Sequence, residues 1–124
     1  MNFKKIDEIL ALDDMVRYVG IIDLQGNIIT SKIKNSREIT YDNNEFFWAD
    51  LCIVKKILDV ADDSFGKTVS IQTIREKLCQ LIYYCDNMIV YVTCNPDVND
   101  KKMLEISNRT GQLVKELVST DEKY

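Results

Sequence analysis

The sequence predicts an α+β fold, with helices on both faces of a single five-stranded antiparallel sheet. Apolar residues recur at helical spacing in three segments, and β-branched residues cluster in five short runs, in the order α-β-β-α-β-β-β-α. Short turns separate neighbouring strand-like runs, which favours hairpins over long crossovers. The 124 residues match the size of one domain, expected to span residues 1–124 with a polar tail from about residue 119.

The first three elements are a helix and a hairpin. Apolar residues at helical spacing predict a short helix over residues 3–12. The runs 17–24 and 27–33 are rich in β-branched residues and predict two strands. Between them Gly26, followed by Asn27, supplies the positive φ that a tight turn needs.

The pattern of the second half of the sequence predicts a long helix, three strands and a last helix. Residues 34–43 are polar and irregular, and the helix over 44–62 begins with Asn44 as its cap. Two successive hairpins then connect the runs VSIQTI, KLCQLIYY and NMIVYVTC through the turns Arg75-Glu76 and Cys85-Asp86-Asn87. Asn95-Pro96-Asp97 ends the last strand, and a helix runs from Val98 or Asn99 to Val118.

Charge and composition exclude several partners and compartments. The net charge is −4, and the basic residues form no stripe, so we expect no nucleic-acid partner. No apolar run reaches the roughly 20 residues of a membrane span, and the first residues do not resemble a signal peptide. The four cysteines, Cys52, Cys79, Cys85 and Cys94, are therefore expected as free thiols in a reducing cytoplasm.

The sequence offers no catalytic, cofactor or metal site that we can name. Gly26 precedes a strand, whereas a phosphate-binding loop places several glycines before a helix. The chain contains no histidine, and its cysteines form no C-x-x-C pair. Asp23 could act as a general acid or base, but an aspartate before a turn more often binds the turn backbone. A cryptic enzyme that uses Asp23 or a cysteine is therefore the last of our hypotheses.

Other candidate groups also have structural interpretations. The tyrosines Tyr83, Tyr84 and Tyr91 could stack on bases, but without a basic groove they are better explained as cross-strand contacts. Cys85 lies in a turn and is the one cysteine that could be exposed and redox-reactive. We expect the other three cysteines to pack as small apolar residues.

The second helix carries more apolar surface than one sheet can cover. At about 100° per residue its apolar residues span an arc of about 200°, twice the stripe that packing on a single neighbour requires. The last helix has a narrower band. Trp48 falls outside the main arc and could lie at an interface or under residues 34–43. Asp50 lies inside the arc and needs a partner such as a lysine, a backbone group or a symmetry mate. These features indicate a second molecule against this helix.

The first hairpin resembles roadblock/LC7 domains, which have a profilin-like fold, because its first strand ends in Asp23 and a turn at Gly26 precedes the second strand. The Arg-Tyr-x-Gly residues 17–20 and the Arg-Glu-Lys turn at 75–77 are also similar to an uncharacterised family of small archaeal proteins. The resemblance implies that the third strand, 67–74, lies at the sheet edge. It also implies a two-fold dimer in which the second helices pair and the third strands pair. The function it implies is that of a platform for small GTPases or for motor and signalling complexes.

Our leading hypothesis is therefore a non-enzymatic homodimeric interaction module, a regulatory scaffold for a small GTPase or signalling complex. The predicted dimer interface comprises Phe47, Trp48, Asp50, Leu51, Val54, Leu58, Val69, Ile71 and Thr73. The alternative is a small-ligand or redox sensor of the PAS type, with a pocket between the sheet and the helices near Cys79 and Tyr91. An apolar helix face and an uncharged edge strand favour the dimer.

Overall fold

The computed structural model describes residues 4–34 and 45–122, and the side chains of 4–34 and 51–118. Asn44 and residues 35–43 therefore lie outside the described residues. The elements are α1 (Lys4–Leu10), β1 (Val16–Ile22), β2 (Ile28–Ile33), α2 (Glu45–Asp59), α3 (Asp62–Phe65), β3 (Ser70–Ile74), β4 (Cys79–Tyr84), β5 (Ile89–Cys94) and α4 (Asp100–Glu122). The predicted order is confirmed, with α3 as an additional short helix.

The five strands form one antiparallel sheet in the order β2-β1-β5-β4-β3. After the first hairpin the chain passes through α2 and α3 to the far edge, and two hairpins bring it back to β5 beside β1. Both hairpins predicted for the second half are confirmed. β3 is an edge strand, as the roadblock/LC7 resemblance implies.

Alternating side chains divide the core into two layers, one on each face of the sheet. On the first face α1 and α4 pack together over the strands, and on the second face lies α2. The first-face cluster includes Ile6, Ile9, Val19, Leu81, Tyr83, Val92, Ile106, Val114 and Leu117. The second-face cluster contains Tyr18, Ile22, Leu51, Ile82, Ile89 and Tyr91. The prediction of helices on both faces is confirmed.

The central helix ends earlier than the sequence predicts. α2 ends at Asp59, and α3 follows after a turn. The N–H of Ala61 bonds to the carbonyl of Leu58, three residues back, at 3.0 Å, so the last turn tightens and the α-helical ladder stops. Gly66 then takes a φ of 79° and ends α3.

Candidate functional site

The described part of α2 is apolar on two opposite sides. Leu51 faces the sheet and is 6% exposed in the second-face cluster. Two residues turn a helix by about 200°, so Ile53 lies on the other side, where it is 54% exposed. Ile57 and Val60 follow at helical spacing and are exposed as well. α2 thus presents an apolar stripe that its own sheet does not cover.

The exposed apolar side chains continue beyond α2 into α3 and β3. Phe65 ends α3, Val69 precedes β3 and Ile74 ends it, and all three are exposed. Ile74 pairs with Cys79, whose side chain lies in the first-face cluster, so Ile74 is on the face that α2 does not cover. We call the remaining set the α2–β3 surface: Ile53, Val54, Ile57, Val60, Phe65 and Val69. Soluble monomers rarely expose so many large apolar side chains in one region.

Two ion pairs lie beside this surface. Lys55 bonds to Asp59 at 3.1 Å on α2, and Lys67 bonds to Asp86 at 3.3 Å near the start of β3. Such surface pairs contribute little to stability. Their place beside an apolar centre matches the polar rim of protein interfaces.

The predicted interface residues fall into three groups. Val54 and Val69 are exposed and belong to the α2–β3 surface. Leu58 is half-buried and lines a pocket of about 90 Å³ with Lys55 and Tyr84. Phe47, Trp48 and Asp50 have side chains outside the described residues.

The remaining three residues make contacts within their own subunit. Leu51 was predicted at the interface, but the structure places it in the core, because it lies on the side of α2 that faces the sheet. Ile71 is half-buried against the same cluster. Thr73 is half-buried, and its hydroxyl donates to Oε1 of Gln80, its partner on β4.

Five exposed residues were absent from the predicted interface: Ile53, Ile57, Val60, Phe65 and Ile74. The first three belong to the apolar arc of the second helix, but the arc alone does not tell which part faces outward. The exposure of Phe65 could have been predicted, since it is a lone aromatic residue in the polar run DDSFGK. The exposure of Ile74 could not, because the alternation in VSIQTI is compatible with either face of the sheet pointing outward.

The backbone of β3 is accessible on its outer side. Its neighbour β4 occupies one side, and no further strand lies beyond β3 among the described residues. The sequence SIQTI contains no charge and no proline, the residues that commonly block edge strands. β3 can therefore accept an added strand.

Asp23 holds the turn of the first hairpin, as the structural interpretation predicts. Its carboxylate accepts bonds from the N–H of Gln25 at 2.9 Å, the N–H of Asn27 at 2.9 Å and the side-chain amide of Asn27 at 3.0 Å. Gly26 has a φ of 91°, and Asn27 does not share this positive φ. The bonds from Asn27, and then from Gln25, hold the pKa of Asp23 below its usual value.

An Asp23→Ala variant is expected to melt at a lower temperature than the parent at pH 7. The folded chain binds the Asp23 proton less tightly than the unfolded chain does. The stabilisation is therefore complete above the pKa of an unfolded aspartate, about 3.9, and is lost as the pH falls below it. In thermal melts from pH 7 to pH 3, the difference in melting temperature between the parent and Asp23→Ala should shrink. Asp97→Ala is the control. A difference in melting temperature that does not depend on pH would contradict the stabilising role of the Asp23 carboxylate.

The cysteines are mostly buried packing groups. Cys79 and Cys94 are buried opposite each other on β4 and β5, which confirms their prediction, and Cys52 is half-buried. Burial, followed by the neighbouring Asp86, raises the pKa of the Cys85 thiol to about 11. Because the thiolate is the reactive form, the hypothesis of an exposed, reactive Cys85 is not supported.

The two residues named for the sensor pocket do not lie on the same face of the sheet. Cys79 belongs to the first-face cluster and Tyr91 to the second-face cluster, so the sheet itself separates them. The Tyr91 hydroxyl accepts a bond from Gln80 Nε2 at 2.7 Å within the core. Tyr83 and Tyr84 lie opposite Val90 and Ile89, in agreement with their interpretation as cross-strand contacts.

The described residues form neither a metal-binding cluster nor a membrane-spanning helix. Within residues 4–34 and 45–122, no three histidine, cysteine, aspartate or glutamate side chains come together in a way that could hold a metal ion. In the same part of the chain, no helix has the length and apolar character that crossing a membrane requires.

Comparisons with known proteins support the fold. No known family model matches the sequence, and neither does any curated protein. The gliding protein MglB from Thermus thermophilus is similar in structure, with a TM-score of 0.72 and 9% identity over 94% of this chain and 87% of that one. A roadblock/LC7 domain from Streptomyces avermitilis has a TM-score of 0.70 and 8% identity over 92% of each chain. An MglB with a tetrameric arrangement has a TM-score of 0.69 and 10% identity over 91% of this chain and 87% of that one.

At these identities the likeness shows the fold alone, and the fold is that of roadblock/LC7 domains, a profilin-like architecture. The prediction of this fold class is confirmed. The narrower resemblance to a family of small archaeal proteins is not supported by these comparisons.

Proposed function

We propose that this chain is a non-enzymatic interaction module of the cytoplasm, which forms a homodimer and serves as a regulatory scaffold for a small GTPase or signalling complex. One observation carries the proposal: the apolar stripe of α2 and the open edge of β3 are exposed in the same subunit. Exposed apolar side chains and an unpaired strand edge both favour association with another chain.

A second copy is the simplest partner for this surface. The six exposed side chains of this surface offer an area on the order of several hundred Å², comparable with the roughly 800 Å² that each partner buries in a standard interface. A two-fold axis lets one apolar stripe cover its own counterpart and lets one strand edge pair with itself. Closed two-fold dimers are also the commonest oligomers.

The structural relatives support an interaction module over an enzyme. Two of them are MglB proteins, one in a tetrameric arrangement, and a third is a roadblock/LC7 domain. The roadblock/LC7 resemblance implies regulation of small GTPases.

An Ile57→Asp variant is expected to convert the dimer into a monomer, because Ile57 is 66% exposed on the α2 stripe and a carboxylate there would be buried by the second copy. Light scattering should give twice 14.4 kDa for the parent and 14.4 kDa for the variant. Leu104→Asp is the matched control, since Leu104 is 62% exposed on α4, outside the α2–β3 surface, and should leave the dimer intact. A monomeric parent at micromolar concentration would refute the proposal.

The regulatory role needs a separate measurement. Purified small GTPases of the same cell, loaded with GDP or with a GTP analogue, should be passed over the immobilised parent. We expect at least one of them to bind in one nucleotide state and to bind more weakly to the Ile57→Asp monomer. If none binds, the dimer stands and the GTPase role is excluded.

A further inference from the structure

An apolar groove lies on the first face of the sheet, between α4 and the turn that joins β4 to β5. Tyr83 and Val114, which line it, belong to the first-face cluster, and Val118 lines it one turn further along α4. The groove is open to solvent and has a volume of about 420 Å³. Small-ligand sites have volumes of roughly 300–1,000 Å³, so this groove has the size of such a site.

The shape of the groove is set by contacts within the chain. The hydroxyl of Tyr83 donates to the carbonyl of Ser107 on α4 at 2.8 Å, which ties the tyrosine ring to the helix. The lining residues of α4 run from Gly111 to Val118, seven residues along the helix, which is about 10 Å at 1.5 Å per residue. The groove is therefore elongated along α4 and suits a linear apolar chain.

Gly111 leaves space in the groove that the packing of the chain does not require. A glycine inside a helix destabilises the helix relative to alanine. A Cβ atom at this position would lie 3.6 Å from Cε1 of Tyr83, which is an ordinary van der Waals contact, so alanine would fit. Among the described residues no close approach demands the glycine, and its missing side chain widens the groove beside Tyr83.

Lys115 places a positive charge at the wall of the groove. It is exposed on α4, and within residues 4–34 and 51–118 it forms no ion pair. The other charged residue of the wall, Asp86, bonds to Lys67 at 3.3 Å. A ligand in the groove therefore meets one positive charge that no neighbouring carboxylate in this part of the chain offsets, which favours an anionic group.

From these features we infer that the groove binds a free carboxylate with an unbranched apolar chain of medium length. The chain lies along Tyr83, Val114 and Val118, and the carboxylate contacts the ammonium group of Lys115. Burial of the chain supplies affinity, and the charge fixes its direction. The α2 stripe lies on the opposite face of the sheet, so binding in the groove can be measured separately from the proposed dimer contact.

Decanoate is the probe, titrated into the parent by isothermal titration calorimetry below the concentration at which it forms micelles. We expect one molecule to bind per chain with a dissociation constant below about 1 mM, and decylammonium to bind more weakly. Lys115→Glu should reverse this order, because the charge at the wall changes sign. The proposal is overturned if the parent binds no decanoate at about 1 mM, or if Lys115→Glu leaves the order of the two affinities unchanged.

Gly111→Ala distinguishes a filled groove from a loss of structure. The variant should melt about 2–5 °C above the parent, because alanine favours the helix. The added methyl group should also raise the dissociation constant of decanoate at least about threefold, since it narrows the groove beside Tyr83. A variant that is more stable and binds more weakly cannot owe the loss to misfolding. An unchanged affinity for decanoate would place the ligand outside this groove.

Ile57→Asp is the control for the other exposed apolar surface. Ile57 belongs to the α2–β3 surface, so the substitution should leave the affinity for decanoate unchanged. Binding that is lost in Ile57→Asp and kept in Gly111→Ala would assign decanoate to the α2–β3 surface and overturn the proposal. Light scattering on the same samples gives the oligomeric state. A monomeric parent that binds one decanoate in the groove would refute the dimer and leave this inference standing.

Discussion

A Leu51→Asp variant is expected to lose its tertiary structure, and with it any dimer. Leu51 is 6% exposed and lies in the second-face cluster with Ile22 and Tyr91. A carboxylate at this position would lie in an apolar layer, and a buried group without a partner costs several kcal/mol. This is a large part of the roughly 5–15 kcal/mol that stabilises an ordinary domain. Urea denaturation followed by circular dichroism measures the loss.

Ile53→Asp is the control for this experiment. It introduces the same charge two residues along α2, but on the exposed side of the helix. We expect it to keep the circular dichroism spectrum of a folded chain while its mass falls to that of a monomer. A folded, monomeric Leu51→Asp variant would instead place Leu51 at the interface, as its predicted position implied.

A Leu117→Ala variant should lower the free energy of unfolding by about 2–5 kcal/mol, the range for removing a fully buried leucine. Leu117 is 0% exposed and joins α4 to the first-face cluster, which also contains Ile6 and Ile9 of α1. The cavity cannot close easily, because the sheet and α1 both contact this layer. Urea titration of the parent and the variant gives the difference.

Leu104→Ala is the matched control on the same helix. Leu104 is largely exposed, so the same truncation should change the free energy of unfolding by less than about 0.5 kcal/mol. Equal losses for the two variants would mean that α4 does not dock through Leu117. That result would contradict the two-layer core described above.

The elements with strong local chemistry could be predicted from the sequence. The first hairpin follows from Asp23 and Gly26, since one side chain binds the turn backbone and the other residue takes the positive φ. The β-branched runs form strands, and the short polar turns between them leave only hairpins. These features depend on residues a few positions apart, and so they are visible in the sequence.

The inward or outward direction of individual residues could not be predicted in the same way. The sequence correctly indicated that the apolar arc of the second helix is wider than one sheet can cover. Leu51 and Ile57 both belong to this arc, but only Leu51 faces the sheet. Cys79 and Tyr91 lie on adjacent strands, yet register puts them on opposite faces. The turn cysteine Cys85 is half-buried, because neighbouring elements cover part of it.

The sequence alone therefore determined the fold class, the order of the elements and the excess of apolar surface on the second helix. Spacing and turn chemistry act over a few residues, and their consequences do not depend on distant contacts. Only the tertiary structure decided which apolar residues form the core and which form the α2–β3 surface. The reason is physical: burial depends on which distant element covers a side chain, and strand order and register set this across the whole sheet.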